Sequence, residues 1–143
     1  MYAHWKANIY TVFFDVNSGS NLSETDKAKE VEFDSPYGEL PIVDRVGHTF
    51  TGWYDNRTGG IRVKENTTVT LADNHMLYAQ WNPNGYTVTF DPNGGSVDPK
   101  TMNVTYNNPY NSLPAPTKAG YVFLWWFIEG TEPDEKIEDS TVV

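Results

Sequence analysis

The sequence predicts a mainly β fold that is built from small repeated units with minimal helix. Apolar and polar residues alternate with a period of two in residues 86–90 and 101–106, a pattern typical of half-buried strands. No window of a dozen residues has the apolar spacing of an amphipathic helix. Residues 10–15 (YTVFFD) return as residues 86–91 (YTVTFD), so the chain contains an internal repeat.

The repeat predicts how the chain is divided. Residues 36–41 (PYGELP) match residues 109–114 (PYNSLP). Residues 1–5 (MYAHW) match residues 77–81 (LYAQW), which end the first copy, and the second copy stops before it reaches such a segment. We therefore expect a final strand of a preceding repeat in residues 1–8, a complete repeat in residues 9–82, and a second repeat without its final strand in residues 83–143.

Each copy is predicted to begin with an antiparallel hairpin. Residues 93–95 (NGG) separate the two alternating runs of the second copy, and glycines accept the positive φ that a chain reversal needs. The first copy has NSG at residues 17–19, which predicts a looser turn. It also carries extra length in the polar stretch 21–27, which we expect to be a loop.

A short segment and a strand follow the hairpin. Prolines at both ends limit residues 36–41 to about one turn of helix, which would place Tyr37 and Leu40 on one side. Residues 48–54 (HTFTGWY) predict a strand whose apolar phase slips before the tryptophan, as at a β-bulge with Gly52 in the irregular position.

Two segments show how far each copy of the repeat extends. Residues 76–81 predict a last strand for the first copy, with Leu77, Ala79 and Trp81 on one face. Residues 137–143 (IEDSTVV) align with residues 64–70 (KENTTVT), so the second copy contains most of the unit.

The aromatic content suits a small core. Aromatic residues make up 15% of the chain, and each buried aromatic side chain removes about 150–250 Å² from water. A unit of this size buries only about 60% of its unfolded surface, so its few core residues must be large. We expect the complete core to contain Leu40, Phe50, Trp53 and Trp81.

Composition excludes several functions. The net charge is −9, which disfavours nucleic-acid partners and anionic membrane surfaces. The chain has no cysteine, which excludes disulfides, thiolate zinc sites and a cysteine nucleophile. No run approaches the roughly 18 apolar residues of a membrane-spanning helix, so we expect no membrane insertion.

No motif predicts catalysis or metal binding. The histidines His4, His48 and His75 have no ligand spacing, and no serine stands in a glycine-flanked elbow. An acidic run near the end lacks the spacing of an EF-hand, which favours a solvated loop. Its members are Glu129, Glu132, Asp134, Glu135, Glu138 and Asp139. We therefore expect no enzyme, no metal ion and no cofactor.

Five short motifs occur together in a combination typical of one bacterial family. They are YTVTFDPNGG at residues 86–95, PYNSLP at 109–114, GYVF at 120–123, GWY at 52–54 and LYAQW at 77–81. Together they resemble the Listeria-Bacteroides repeat, also called the internalin B-repeat. The resemblance implies tandem β-grasp modules, ubiquitin- or SUMO-like, in bacterial cell-surface and secreted proteins. It also implies roles in spacing, adhesion or contact with host partners, without catalytic residues.

The second copy departs from this family pattern twice. Trp125 stands where the pattern and the first copy have glycine, and the Leu-Tyr-Ala-x-Trp strand is missing. The first departure bears on the bulge, and the second on whether this copy folds by itself.

The main functional hypothesis is a spacer or adhesion module at the bacterial cell surface or outside the cell. The alternative is a binding module that engages a host protein or a glycan through aromatic side chains. The candidate residues are Tyr37, Tyr54, Tyr78, Trp125 and Trp126. For the two tryptophans, core filling is the favoured interpretation, although strand alternation can turn one of them outward.

A further hypothesis concerns self-association. The opening strand resembles the strand that the second copy lacks, and an incomplete sheet edge accepts a strand readily. The residues that would exchange are Met1, Tyr2, Ala3, His4 and Trp5. Docking onto another chain would give a swapped dimer or a head-to-tail chain. Docking within one chain, and packing of the second copy on the first, are the alternatives.

Overall fold

The computed structural model describes residues 1–130 and 135–143, which form two compact units, Met1–Asn82 and Pro83–Val143. The prediction of a mainly β fold is confirmed, because the described residues form seven strands and a single three-residue 3-10 helix, Glu24–Asp26. No helix in the described part of the chain is long and apolar enough to cross a membrane.

The first unit is a five-stranded sheet. Its strands are β1 Ile9–Asp15, β2 Ala28–Glu32, β3 His48–Tyr54, β4 Arg62–Val63 and β5 His75–Pro83. Their spatial order is β2-β1-β5-β3-β4. The antiparallel pair of β1 and β2 is the predicted hairpin, whereas β1 and β5 are parallel. This arrangement is compatible with the β-grasp architecture that the family resemblance implies.

The central strand β5 carries two of the fully buried residues. Leu77 and Ala79 have no exposed surface, and Trp81 packs against the same core. The face predicted from alternation is therefore confirmed. Phe14 and Trp53 lie beside this face at 7% and 2% exposure, so the core sits under the middle of the sheet.

Strand β3 is irregular at the predicted position. Gly52 has a φ of +132°, a backbone conformation that side chains rarely adopt. Gly52 and Trp53 are buried although they are consecutive, so the inside-outside alternation shifts here.

The prediction of a looser turn in the first hairpin is wrong. The Gly19 amide donates to the Val16 carbonyl at 2.9 Å, and the Gly95 amide makes the matching bond to Pro92 at 3.0 Å. The two turns have the same geometry because Ser18 takes a φ of +69°, a conformation that glycine adopts without strain.

The segment 36–41 does not form the predicted turn of helix. The amides of Tyr37 and Gly38 donate to the carbonyls of Thr67 and Glu65 at 2.9 and 2.8 Å. Gly38 has a φ of +68°, which a right-handed helical turn does not allow. Tyr37 is nevertheless buried, and Leu40 packs against the core from this irregular backbone.

The second unit has fewer strands in its described residues, 83–130 and 135–143. Strands β6 Gly85–Thr89 and β7 Thr101–Thr105 form a two-stranded sheet. Residues 121–127, which match β3, form no strand and make an isolated bridge between Trp126 and Ile137. In the first unit β3 is paired with β5, so the same sequence pattern is a strand where its partner is present.

The structure also corrects the alignment at the end of the second unit. The Lys64 amide donates to the Thr67 hydroxyl at 2.8 Å, and the equivalent bond joins Glu138 and Thr141 at 2.9 Å. Ile137 therefore corresponds to Val63, one position earlier than the sequence match placed it. The loop that follows Trp126 is one residue longer than its counterpart, which an ungapped comparison cannot detect.

Candidate functional site

An aromatic cluster forms the centre of the first unit. The ring of Trp53 lies 4.8 Å from Phe14 and 5.7 Å from Phe50, both edge-on, and Phe50 lies 5.2 Å from Trp81. The Trp53 indole donates to the Pro41 carbonyl at 2.9 Å. Edge-on aromatic contacts and a satisfied indole hydrogen bond stabilise this arrangement.

The second unit contains the same cluster without its last member. The ring of Trp126 lies 5.0 Å from Phe90 and 5.4 Å from Phe123. The Trp126 indole donates to the Pro114 carbonyl at 2.8 Å. Trp126 therefore repeats the ring contacts and the indole bond of Trp53, although it is only half-buried.

Trp125 lies in a different environment from its neighbour. It is 39% exposed and stands where the first unit has Gly52. An open groove of about 420 Å³ runs beside it. Both tryptophans line this groove, but Trp126 is half-buried against Phe90 and Phe123, whereas Trp125 is exposed.

A groove recurs at this place in both units, and the sequence alone did not reveal it. In the first unit its volume is about 570 Å³. Its walls include Leu40, Pro41 and Trp53 in the first unit, and the matching Leu113, Pro114 and Trp126 in the second. The repeated Leu-Pro pair is the signal that could have indicated it.

Tyr37 is part of the core and offers no exposed binding surface. It is 7% exposed, and its hydroxyl lies 2.7 Å from Nε2 of His75. Nδ1 of His75 lies 2.9 Å from the Asp73 carbonyl, which can only accept. In the tautomer with its proton on Nδ1, Nε2 accepts from the tyrosine hydroxyl. Burial raises the pKa of Tyr37, and the Asp55 carboxylate raises it further.

Tyr54 and Tyr78 are half-buried residues of β3 and β5. The guanidinium of Arg57 covers the ring of Tyr78 at 5.1 Å and pairs with the Asp15 carboxylate at 2.5 Å. A ring covered in this way has one face occupied, so a ligand could stack on that face of Tyr78 only after Arg57 had moved.

Residues 1–5 form an exposed segment without strand structure. Tyr2 and Trp5 are 98% and 92% exposed, and Met1 is also fully exposed. Several large apolar side chains that are exposed to water in one short segment are unusual on the surface of a monomeric protein.

The acidic run is only partly described, because Glu132 and Asp134 lie outside the described residues. Asp139 accepts from the Leu113 amide at 2.8 Å, and Glu138 pairs with Lys136 at 2.5 Å. Within residues 1–130 and 135–143, no three acidic or histidine side chains come together as a metal-like group.

A comparison with known protein families shows to which family the chain belongs. The model of the Listeria-Bacteroides repeat domain matches residues 10–80 and again residues 86–143. The chain belongs to this family. The two matched stretches of the Listeria-Bacteroides repeat lie in the two structural units.

Several curated proteins contain stretches that are similar to this repeat pair. Internalin H of Listeria monocytogenes is 41% identical over 118 residues, which is 82% of this chain and 20% of that protein. In Evansella cellulosilytica, a "Putative membrane protein" is 36% identical over 127 residues, covering 89% of this chain and 18% of its own length. A "Putative Gly-rich membrane protein" of that organism is 33% identical over 127 residues, with 89% and 14% covered. The chain thus spans a fifth or less of the length of each of these three relatives.

Proposed function

We propose that this repeat pair is a non-catalytic module of a bacterial cell-surface or secreted protein, where it acts as a spacer or adhesion element. Membership of the Listeria-Bacteroides repeat family supports this proposal. The relatives named as membrane proteins and as an internalin support a surface-associated or extracellular location.

The repeated aromatic core is the observation that carries the proposal. The contacts of Phe14, Phe50 and Trp53 return in the second unit, including the indole bond to a proline carbonyl. The aromatic residues are thus used mainly to build small folded units. Such units repeated along a chain provide length and shape, which is what a spacer requires.

Single-molecule stretching tests the spacer role. A spacer unit that bears force should unfold in one discrete step. At about 3.3–3.6 Å per residue, the complete unit should release roughly 25 nm of chain. Extension of the chain without a force peak that is followed by a gain in contour length of this size would contradict the proposal. A Leu71→Ala variant, altered at a residue that is 50% exposed, should keep the step unchanged.

Binding of a host protein or glycan is the second candidate, and it is favoured by Trp125 at the edge of the groove. Calorimetric titration of the chain against glycans and host extracellular proteins should then show saturable binding. Trp125→Gly should weaken that binding by about tenfold, as loss of an aromatic anchor does. Val46→Ser is the matched control, because Val46 is 81% exposed in the other unit. Absence of saturable binding would eliminate this candidate and leave the spacer role.

A further inference from the structure

The sheet of the first unit has a core face and an outer face, and the outer face exposes large apolar side chains. Along β1, Val12 and Phe14 point into the core, so Phe13 points to the outer face. Phe13 is 42% exposed, and Met76, its partner in the parallel pair of β1 and β5, is 41% exposed. Ile9 is exposed on the same face of β1. Neighbouring apolar side chains on an open sheet face indicate an interaction surface.

Another part of the outer face is covered by the loop of residues 55–60. Arg57 of this loop lies over the ring of Tyr78 at 5.1 Å. The side chain of Gln80 donates to two backbone carbonyls of the same loop, at 2.9 and 2.5 Å. Both residues share the outer face of β5 with Met76. The open part of the outer face is therefore the part that contains Met76 and the outward residues of β1 and β2.

Strand β2 lies at the edge of the sheet, with β1 as its neighbour. The Phe14 amide donates to the Lys27 carbonyl at 3.0 Å, and bonded positions alternate along an antiparallel pair. The backbone groups of Ala28 and Glu30 therefore point away from β1. They have no hydrogen-bond partner within residues 1–130 and 135–143. Such an edge accepts a further strand, which satisfies these groups.

The open edge is also acidic. Glu30 and Glu32 are exposed, and they lie on the outer face because they stand opposite Thr11 and Ile9 of β1. Neither carboxylate forms an ion pair with the described part of the chain. Pairing of this edge with its own copy would bring glutamates together, which is unfavourable. A strand with cations at alternate positions fits instead, because alternate side chains share one face.

The second unit lacks this combination of features. Asn103 of β7 stands at the position of Glu30, and Thr89 of β6 stands at the position of Phe13. The second glutamate of the edge is likewise replaced by a threonine. The same hairpin therefore forms without the two charges and without the aromatic ring. These side chains are available for a role other than folding.

We propose that β2 of the first unit binds an extended basic segment of a partner protein as a sixth strand of the sheet. The segment runs antiparallel to β2, the orientation with the more stable hydrogen bonds. Two of its cations, at alternate positions, pair with Glu32 and then Glu30. A large apolar side chain two positions further on lies opposite Ala28. Two strand spacings, about 9.5 Å, separate the segment from β1, so this side chain reaches the ring of Phe13 across the small Ala28.

This surface is distinct from the groove of the first unit. The groove lies beside β3 and β4, which are at the other end of the strand order. The binding of a basic strand also does not depend on the spacer role or on Trp125. Its failure and the failure of those proposals are therefore observed in different experiments.

Fluorescence anisotropy of a labelled peptide tests the proposal on the 143-residue chain. The peptide has two arginines at alternate positions, phenylalanine two positions after the second, and threonine between them. It should bind saturably, and its affinity should fall as salt screens the exposed charges. A peptide of the same composition with adjacent arginines should bind about fivefold more weakly, because one arginine then points away from the glutamates. This comparison removes the general attraction of cations to a net charge of −9.

Variants that copy the second unit provide the matched changes. The pair Glu30→Asn and Glu32→Thr, and separately Phe13→Thr, should each weaken binding by about fivefold or more. The pair Glu39→Gln and Glu65→Gln removes the same charge at exposed positions outside β2 and should leave the affinity unaltered. All of these side chains are exposed, so each variant should keep the Tm of the unaltered chain within a few degrees.

Amide hydrogen exchange shows whether the peptide adds a strand. The Glu30 amide should exchange more slowly in the complex, whereas the Asn103 amide at the matching position of β7 should be unaffected. The proposal is overturned by absence of saturable binding up to about 1 mM peptide, by full affinity in the variants that copy the second unit, or by binding without protection of the Glu30 amide. Self-association of the unaltered chain that is lost in Phe13→Thr would identify a second copy as the occupant and would also overturn it.

Discussion

Truncation of Leu77 to alanine should destabilise the first unit and leave the second unit unchanged. Leu77 is completely buried in β5, the central strand of the five-stranded sheet. It lies opposite Phe14 in the parallel pair of β1 and β5. Removal of its side chain therefore opens a cavity in the core.

The expected magnitude is large for a unit of this size. Leucine-to-alanine changes in cores cost about 2–5 kcal/mol. At about 0.05–0.15 kcal/mol per residue, the free energy of unfolding of the first unit is roughly 4–12 kcal/mol. A loss of about 3 kcal/mol corresponds to a fall in Tm of about 12–24 °C. The change would remove a substantial part of the stability.

Urea titration followed by amide NMR signals measures the two units separately. Signals from β1 and β5 should disappear at lower urea in the variant, while signals from β6 and β7 should keep their midpoint. Leu71→Ala is the matched control, because this leucine of the same unit is 50% exposed and should change stability by at most about 0.5 kcal/mol. A loss below about 1 kcal/mol for Leu77→Ala, or equal losses in both variants, would refute the placement of Leu77 in the core.

Two further changes test the backbone and the buried tyrosine. Gly52→Ala should destabilise the first unit by about 1–3 kcal/mol in thermal unfolding, because its φ of +132° strains any side chain. Gly59→Ala, in open space at a φ of +66°, should cost less, and equal losses would contradict this explanation. The raised pKa of Tyr37 means that it ionises at higher pH folded than unfolded. Its contribution to stability is complete below the usual tyrosine pKa of about 10 and is lost as pH rises through the folded pKa. After correction for the difference in stability at neutral pH, alkaline unfolding should therefore begin at lower pH in the unaltered chain than in the Tyr37→Phe variant. Identical pH dependence of the two proteins would show that Tyr37 is not responsible.

The core and the hairpins could be predicted from the sequence because their signals are local. Alternation in residues 76–81 identified the inward face of β5, and the repeat identified Phe50 and Trp53 as core residues in advance. Gly52 was identified as irregular because the apolar phase slips beside it. These inferences depend on residues that are neighbours in the chain or on the comparison of the two copies.

The candidate binding residues were predicted less well, because exposure depends on contacts between distant segments. Tyr37 was a surface candidate, yet its hydroxyl bonds to His75, 38 positions away, and it is buried. The adjacent Trp125 and Trp126 could not be distinguished by alternation, since the segment that contains them is not a strand. The grooves beside them arise from the approach of segments that are separate in sequence.

By itself, the sequence determined the mainly β character, the family, the repeat and the aromatic composition of the core. Only the tertiary structure decided which matching segments become strands and where the alignment between the two copies shifts by one residue. The pattern in residues 48–54 forms β3 beside β5, whereas its counterpart in residues 121–127 remains irregular. The physical reason is that a strand is stabilised by hydrogen bonds to a neighbouring strand, and the partner lies elsewhere in the chain.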